Sequence, residues 1–247
     1  MTPYHPICDD FVLSVHLNTK MDLPSSRETI LHFFESLQKW YPRLTEFERR
    51  DNGDFSLEED RETGSYRWVT LEPRRLSLGY VNPPQLEEAD AAAERLLELA
   101  PAHLDLSLLD VEALDVMFAF DFMYAGNHDE VVAEALASGT PFEHLLHIPG
   151  SKVLNFEPMV MLALDDSCRL QCRLHIETRT NAYQVRTGQF PESALSVFFT
   201  VRQYWGKATL PTYLDSYRNQ RRIAQEIVDS QIVPQVLRPL SQAISTR

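Results

Sequence analysis

The densest run of chemically capable side chains is Cys168-Arg169-Leu170-Gln171-Cys172-Arg173-Leu174-His175-Ile176-Glu177-Thr178-Arg179. Read as a strand, it turns Cys168, Leu170, Cys172, Leu174 and Ile176 inward and lines its outer face with Arg169, Gln171, Arg173, His175, Glu177 and Arg179. Guanidinium groups chelate carboxylates and phosphates through paired hydrogen bonds, so this outer row could hold an anion or an acidic partner. The competing reading is a solvated sheet face crossed by ion pairs. Cys168, Cys172 and His175 have the chemistry of metal ligands, yet the two-residue period of a strand sends His175 to the face opposite both cysteines. His5 and Cys8, or His144 and His147, could add ligands, but no paired Cys or His motif completes a tetrahedral set. Neither a metal nor another cofactor is expected, and the cysteines read as reduced core residues.

Two further ionisable residues stand where a concave pocket could form: His16, on the polar side of an alternating strand, and Asp121, within an aromatic one. A carboxylate whose pKa is shifted by burial would point to function there. Hydrolytic chemistry would need a nucleophile on a sharp turn with a histidine and a carboxylate to orient it, and no Gly-x-Ser-x-Gly, His-Glu-x-x-His, Gly-x-Gly-x-x-Gly or P-loop pattern occurs. Eight glycines in 247 residues also argue against a loop whose backbone amides cradle phosphate.

The elements that must position these residues are legible from hydrophobic period and punctuation. Phe11, Leu13, Val15 and Leu17 share one face of a strand, with Ser14 and His16 on the other. Ser25 and Glu28 have capping-box spacing ahead of a helix bearing Ile30, Phe33, Phe34, Leu37 and Tyr41, which Pro42 stops. Strands are expected near Phe47, near Phe55 and Leu57, over Tyr66 to Leu71 and over Leu76 to Val81, with Asn52-Gly53 marking a hairpin. A helix from Gln85 to Leu99 is closed by Pro101. Val116, Phe118, Phe120, Phe122 and Tyr124 then alternate along the clearest strand of the chain.

After that strand come a short helix from Asp129 to Ala137, an apolar segment through Leu146, and strands at Val160 to Leu164, Cys168 to Thr178 and Leu195 to Trp205. Beyond Thr209 and Pro211 a long helix runs to Ile232, where Pro234 and Pro239 kink or break it. Aromatic residues, Trp40 included, are assigned to the core. Phe198 and its neighbour Phe199 must face opposite ways, which offers one of them to an interface or a cavity. The fold class is α+β: a curved antiparallel sheet with helices packed on one face, in two similar β-α-β(n)-α halves. No Gly/Ser linker separates the halves, so residues 1–247 read as a single fused domain with sub-lobes 1–108 and 109–247.

Net charge is −13, and 13 Asp/Glu against one Arg fall between Gln85 and Leu136. From Thr200 to Arg247 there are seven Lys/Arg and three Asp/Glu, including Arg218, Arg221 and Arg222. Such acidity disfavours nucleic acid as a partner and favours basic surfaces. No apolar run is long enough for a membrane span, and three cysteines make no disulfide framework, so a cytoplasmic protein is expected.

The strand Arg74-Arg75-Leu76-Ser77-Leu78-Gly79-Tyr80, followed by the acidic helix, the long aromatic strand and the final strand-plus-helix, resembles a sporadically distributed bacterial family of uncharacterised proteins of about 250 residues. The resemblance covers most of the chain in the order and character of its elements and implies no functional residue. Element order is also similar to the two-lobed saddle of TATA-binding proteins, whose basic DNA face this acidic chain does not share.

The expected function is a non-enzymatic protein-interaction module, a homodimer or assembly subunit whose acidic segment meets a basic surface such as the Arg218 to Arg222 cluster of another copy. The alternative is a small-molecule-binding protein or enzyme with a helix-over-sheet cavity contacted by His16, Asp121, Arg173 or His175.

Overall fold

The alternation of Phe11, Leu13, Val15 and Leu17 becomes β1 (Asp10–Thr19), whose apolar side is buried while His16 and Asn18 look out from the other. The computed structural model describes residues 3–146, 148–206 and 212–247. Helix α1 (Arg27–Gln38) starts one residue later than the capping-box spacing suggests: the Oγ of Ser26, rather than Ser25, accepts from the Thr29 amide. There follow β2 (Glu46–Arg49), β3 (Phe55–Glu58), β4 (Tyr66–Glu72), β5 (Arg75–Val81) and α2 (Leu86–His103). The β2–β3 turn holds Gly53 at φ 92°, a left-handed conformation that Asn-Gly supplies readily.

The second half repeats the plan with β6 (Val111–Tyr124), α3 (His128–Ala137), α4 (Glu143–Leu146), β7 (Met159–Ala163), β8 (Leu170–Glu177), α5 (Ala182–Thr187), β9 (Ser193–Tyr204) and α6 (Tyr213–Ile227). A π-helical stretch (Val228–Leu237) and α7 (Arg238–Ser245) end it.

All nine strands join one open, curled antiparallel sheet in the order β2-β3-β4-β5-β1-β6-β9-β8-β7. β1 and β6 lie side by side at its centre, and the strands then fan outward in matching order, β5-β4-β3-β2 on one side and β9-β8-β7 on the other. The halves therefore correspond strand for strand except at the rim: β2 has no counterpart beyond β7.

The helices cover one face. α2 rests on β5 and β1, and α6 rests on β6 and β9. Phe11, Phe118, Phe120 and Phe199 meet the helices in a single continuous core, and the Tyr4 ring meets the first three tilted or edge-on. Each such ring or aliphatic side chain, taken from water, contributes about 1.5–3 kcal/mol. Gln220 on α6 is fully buried, donates from Nε2 to the carbonyls of Leu114 and Val201, and accepts from the Ser216 hydroxyl. One amide thereby fixes the helix to two strands at once.

Several sequence expectations are corrected. α2 does not close before Pro101 but runs through it to His103. A proline so near a helix end removes one hydrogen bond, and the Leu104 amide donates to the Ala100 carbonyl to complete the last turn. The C-terminal prolines do not break the helix either: the wider π turns carry Pro234, and Pro239 sits in the first turn of α7, which continues directly from them. Trp40 is exposed, its ring lying 3.7 Å from the Arg95 guanidinium carbon. The stretch around Thr209 and Pro211 lies outside the described residues, and α6 opens on a Thr212 cap that accepts from Asp215.

Replacing Gln220 by Ala should lower unfolding stability by about 2–4 kcal/mol, from lost buried hydrogen bonds plus a cavity under α6. Urea denaturation of Gln220→Ala against the parent checks this.

Candidate functional site: the open sheet face and its apolar edge

Because every strand pairs antiparallel, the register aligns side chains on the helix-free face into rows running across the sheet. One row reads Glu48, Ser56, Thr70, Ser77, His16, Asp115, Arg202, Gln171 and Ala163, crossing all nine strands. The row beside it reads Glu46, Glu58, Trp68, Gly79, Ser14, Met117, Thr200, Arg173 and Met161. Gly79 is needed there because a Cβ would come within 2.4 Å of the Trp68 indole lying over it.

His16 stands at the centre of the first row. Its Nδ1 is 2.8 Å from the Ser77 hydroxyl and its Nε2 3.0 Å from that of Ser14, so a neutral ring donates to one serine and accepts from the other. Trp68 flanks the ring at 6.4 Å. Burial pushes its pKa down to about 4. Beside it, Asp115 is 5 % exposed and held by two Arg202 hydrogen bonds of 2.6 Å and one from Asn18. A serine bonded to a neutral histidine has the outline of an activated nucleophile. However, Ser14 and Ser77 are each only 2 % exposed, so no substrate carbonyl reaches either hydroxyl. The row holds the face together.

The other sequence candidates share this face at different heights. Gln171, Arg173, His175 and Glu177 do point outward from β8, and His175 stacks on Phe198 with ring centres 6.3 Å apart. Arg169 and Arg179 lie beyond the strand ends. Arg169 sits in the turn against Gly206, and Arg179 turns back onto the Ala194 carbonyl and the Ser196 hydroxyl, with Glu177 at 3.5 Å. Arg173 has no ion-pair partner among the described residues. Asp121 lies opposite Ser196 and Asp10, with Oδ1 buried and lacking a hydrogen bond. Burial raises its pKa against the opposing pull of Ser196 and Arg179, and Asp10 and Glu177 raise it further. His16, Asp121 and Arg173 thus occupy separate positions on one surface rather than converging. The recess bordered by Arg173, Arg202, Thr200 and Met161 has a volume of about 30 Å³, room for one water molecule.

The metal expectations also find places. Cys168 does not face inward: it is exposed in a turn at φ 54°, because β8 begins only at Leu170. Cys8 is buried, its Sγ donates to the Tyr4 carbonyl, and burial pushes its thiol up to about 12, which disfavours the thiolate a metal needs. His5 and His144 are exposed, and His147 lies outside the described residues. No group of three metal-capable side chains occurs among the described residues, and no helix there is long and apolar enough to cross a membrane.

The charge polarity is used within the molecule. Arg218 forms a two-bond pair with Glu94, and Arg221 pairs with Asp90, which also accepts from the Tyr217 hydroxyl. The acidic face of α2 therefore meets the basic face of α6 in the same chain. The guanidiniums expected to receive another copy are already engaged, because the sheet brings the two helices side by side.

Three features escaped the sequence reading. Buried His128 and Asp129 organise the return from α3: Asp129 Oδ1 accepts from the Phe156 amide and the Thr178 hydroxyl, and His128 Nδ1 accepts from the Arg179 amide. Beside α3 a cleft of about 640 Å³ is lined in part by Glu130, Glu134, Lys152, Phe190 and Arg247, but Arg247 already pairs with both glutamates.

The third missed feature is the rim. β2 presents Glu46, Phe47, Glu48 and Arg49, a charged edge of the kind that resists further pairing. β7 presents Met159, Val160, Met161, Leu162 and Ala163 with no charge, and its first four residues are 58, 49, 55 and 55 % exposed. The helical layer stops short of it, so both faces of the strand are bare. No protein-family model matches this chain, and no curated protein matches it.

Acidification should expose the His16 row. The folded state resists protonation until about pH 4 whereas the unfolded residue titrates near 6.5, so the unfolded chain binds more protons in that window and stability falls as pH drops through it. His16→Asn should flatten part of that slope in denaturation curves taken at successive pH values. Asp121 has the opposite sign: its raised pKa means ionisation weakens the fold as pH rises, so Asp121→Asn should stabilise the protein at neutral pH in a thermal melt.

Proposed function

We propose that this chain is a non-enzymatic protein-interaction module, a homodimer or a subunit of an assembly, and that its binding surface is the β7 rim of the sheet. The observation that carries this reading is β7 itself. Proteins guard sheet edges with charge, proline, bulges or a covering element, because an open edge recruits further strands. β2 carries such a guard, and β7 has none along its five residues. A flat apolar edge exposed on both faces is an aggregation hazard unless something covers it. Arg173, which lies opposite Met161 in the β7–β8 ladder and has no ion-pair partner among the described residues, suits a partner strand that carries acidic side chains to that side.

Native mass spectrometry of the protein purified from its own host should show species heavier than the 28.5 kDa monomer. Met161→Lys, which places a charge in the middle of the edge, should remove them without changing the thermal midpoint by more than a few degrees. A bare monomer in both samples refutes the proposal.

A further inference from the structure

We infer that the strand completing the β7 edge is β7 of a second copy, paired antiparallel about a two-fold axis through Met161. This rests on the reading of β7 as the binding rim and names its occupant.

The hydrogen-bond parity of the edge comes first. At the two ends of the β7–β8 ladder, the Leu164 amide donates to the Leu170 carbonyl and the Ile176 amide donates to the Pro158 carbonyl. Even-numbered residues therefore bond inward to β8, and Met159, Met161 and Ala163 direct their amides and carbonyls to the open rim. Pro158, which has no amide hydrogen, falls in the inward set as an acceptor and leaves the outward set intact.

A two-fold axis at Met161 brings the outward set of one copy onto the outward set of the other. Met161 then faces Met161, and Met159 faces Ala163. Each of the three residues on either strand donates once and accepts once, giving about six hydrogen bonds. On the helix side Val160 meets Leu162, and on the open face methionine meets methionine or alanine. The strand is thus self-complementary, and nothing charged is buried. The contact is isologous and closes at two copies, whereas joining β7 to the β2 edge of another molecule would propagate without end and would set Glu46 and Glu48 against the apolar rim.

The internal correspondence of the halves points to the same slot. β3, the counterpart of β7, is covered by β2, and the position beyond β7 is the one the fold leaves open. The second copy supplies the missing strand and joins two nine-stranded sheets into one.

Four half-exposed side chains make a smaller contact than the ~800 Å² per partner of a standard interface, so association should be reversible and in the micromolar range. Charge acts against it. Each copy carries −13, and in this register Glu157 of one lies across from Asp165 of the other, although each is tied into its own chain, to Thr178 and to the turn at Ser167. Salt should therefore leave the dimer unchanged or strengthen it, opposite to an association between acidic and basic surfaces.

Sedimentation of the purified protein over a concentration series at low and high salt is the test. A monomer–dimer equilibrium that salt does not weaken, and that Met161→Lys shifts at least tenfold toward monomer, is expected. In a Cys168→Ser background, Met161→Cys should cross-link to a dimer under mild oxidation, because opposed residues of a hydrogen-bonded pair stand about 5.5 Å apart at Cα, within disulfide reach. Val160→Cys, which faces Leu162 of the second copy rather than itself, should not. A monomer at every concentration, a dimer indifferent to Met161→Lys, or equal cross-linking at both positions overturns the second copy as occupant. If the recombinant protein is monomeric while a complex from the host is still lost on Met161→Lys, the rim remains an interaction surface for a different protein. If neither species exists, both readings fall.

Discussion

The pairing of β1 with β6 is the constraint from which the rest of the molecule follows. Ten pairs, from Asp10 opposite Asp121 to Thr19 opposite Val111, join the two halves without a linker or a turn between them. Because strand side chains alternate, a slip of one residue would carry Phe11, Leu13, Val15 and Leu17 to the open face and bring His16 and Ser14 under the helices. Burying the apolar side of both strands under α2 and α6 therefore sets the register, and the register sets every row on the opposite face. The ion pairs between α2 and α6, and the grip of Gln220 on β6 and β9, depend on the same placement.

Seen through that register, the polar residues of the open face form a hydrogen-bonded surface. His16 is shared by two buried serines, Asp115 is neutralised by Arg202, and Arg179 is folded back on its own sheet. These three groups already have partners, and the recess bordered by Arg173, Arg202, Thr200 and Met161 holds no more than a water. Arg173 has no ion-pair partner among the described residues, and it lies opposite Met161 at the rim. The face is bonded within itself, and the β7 edge is exposed.

The two rims of the sheet differ in chemistry. A sheet with two unguarded edges would polymerise, and a sheet with two guarded edges would have nowhere to add a strand. This chain guards β2 with Glu46, Glu48 and Arg49 and leaves β7 apolar. A contact that is self-complementary at such an edge stops after one addition.

Local chemistry was enough to place most elements. The two-residue rhythm from Phe11 to Leu17 and from Val116 to Tyr124, the Asn-Gly turn at Gly53 and the alternation along β8 were legible because each arises from neighbouring residues and from the burial of one face. The outward row of Gln171, Arg173, His175 and Glu177 was readable for the same reason, whereas Arg169 and Arg179 were misplaced because the strand ends depend on the turn at Cys168 and on contacts with Ser196 far along the chain. Apolar composition also marked a strand at Val160 to Leu164 without telling whether another strand or helix would cover it, since strand order is a property of pairings between distant segments. Only the tertiary structure decided that His16 lies beside Asp115, that the acidic and basic helices neutralise each other within one molecule, and that β7 ends the sheet. Composition and period determine what each segment can bury. The assembled sheet determines which buried faces meet and which edge is left without a neighbour.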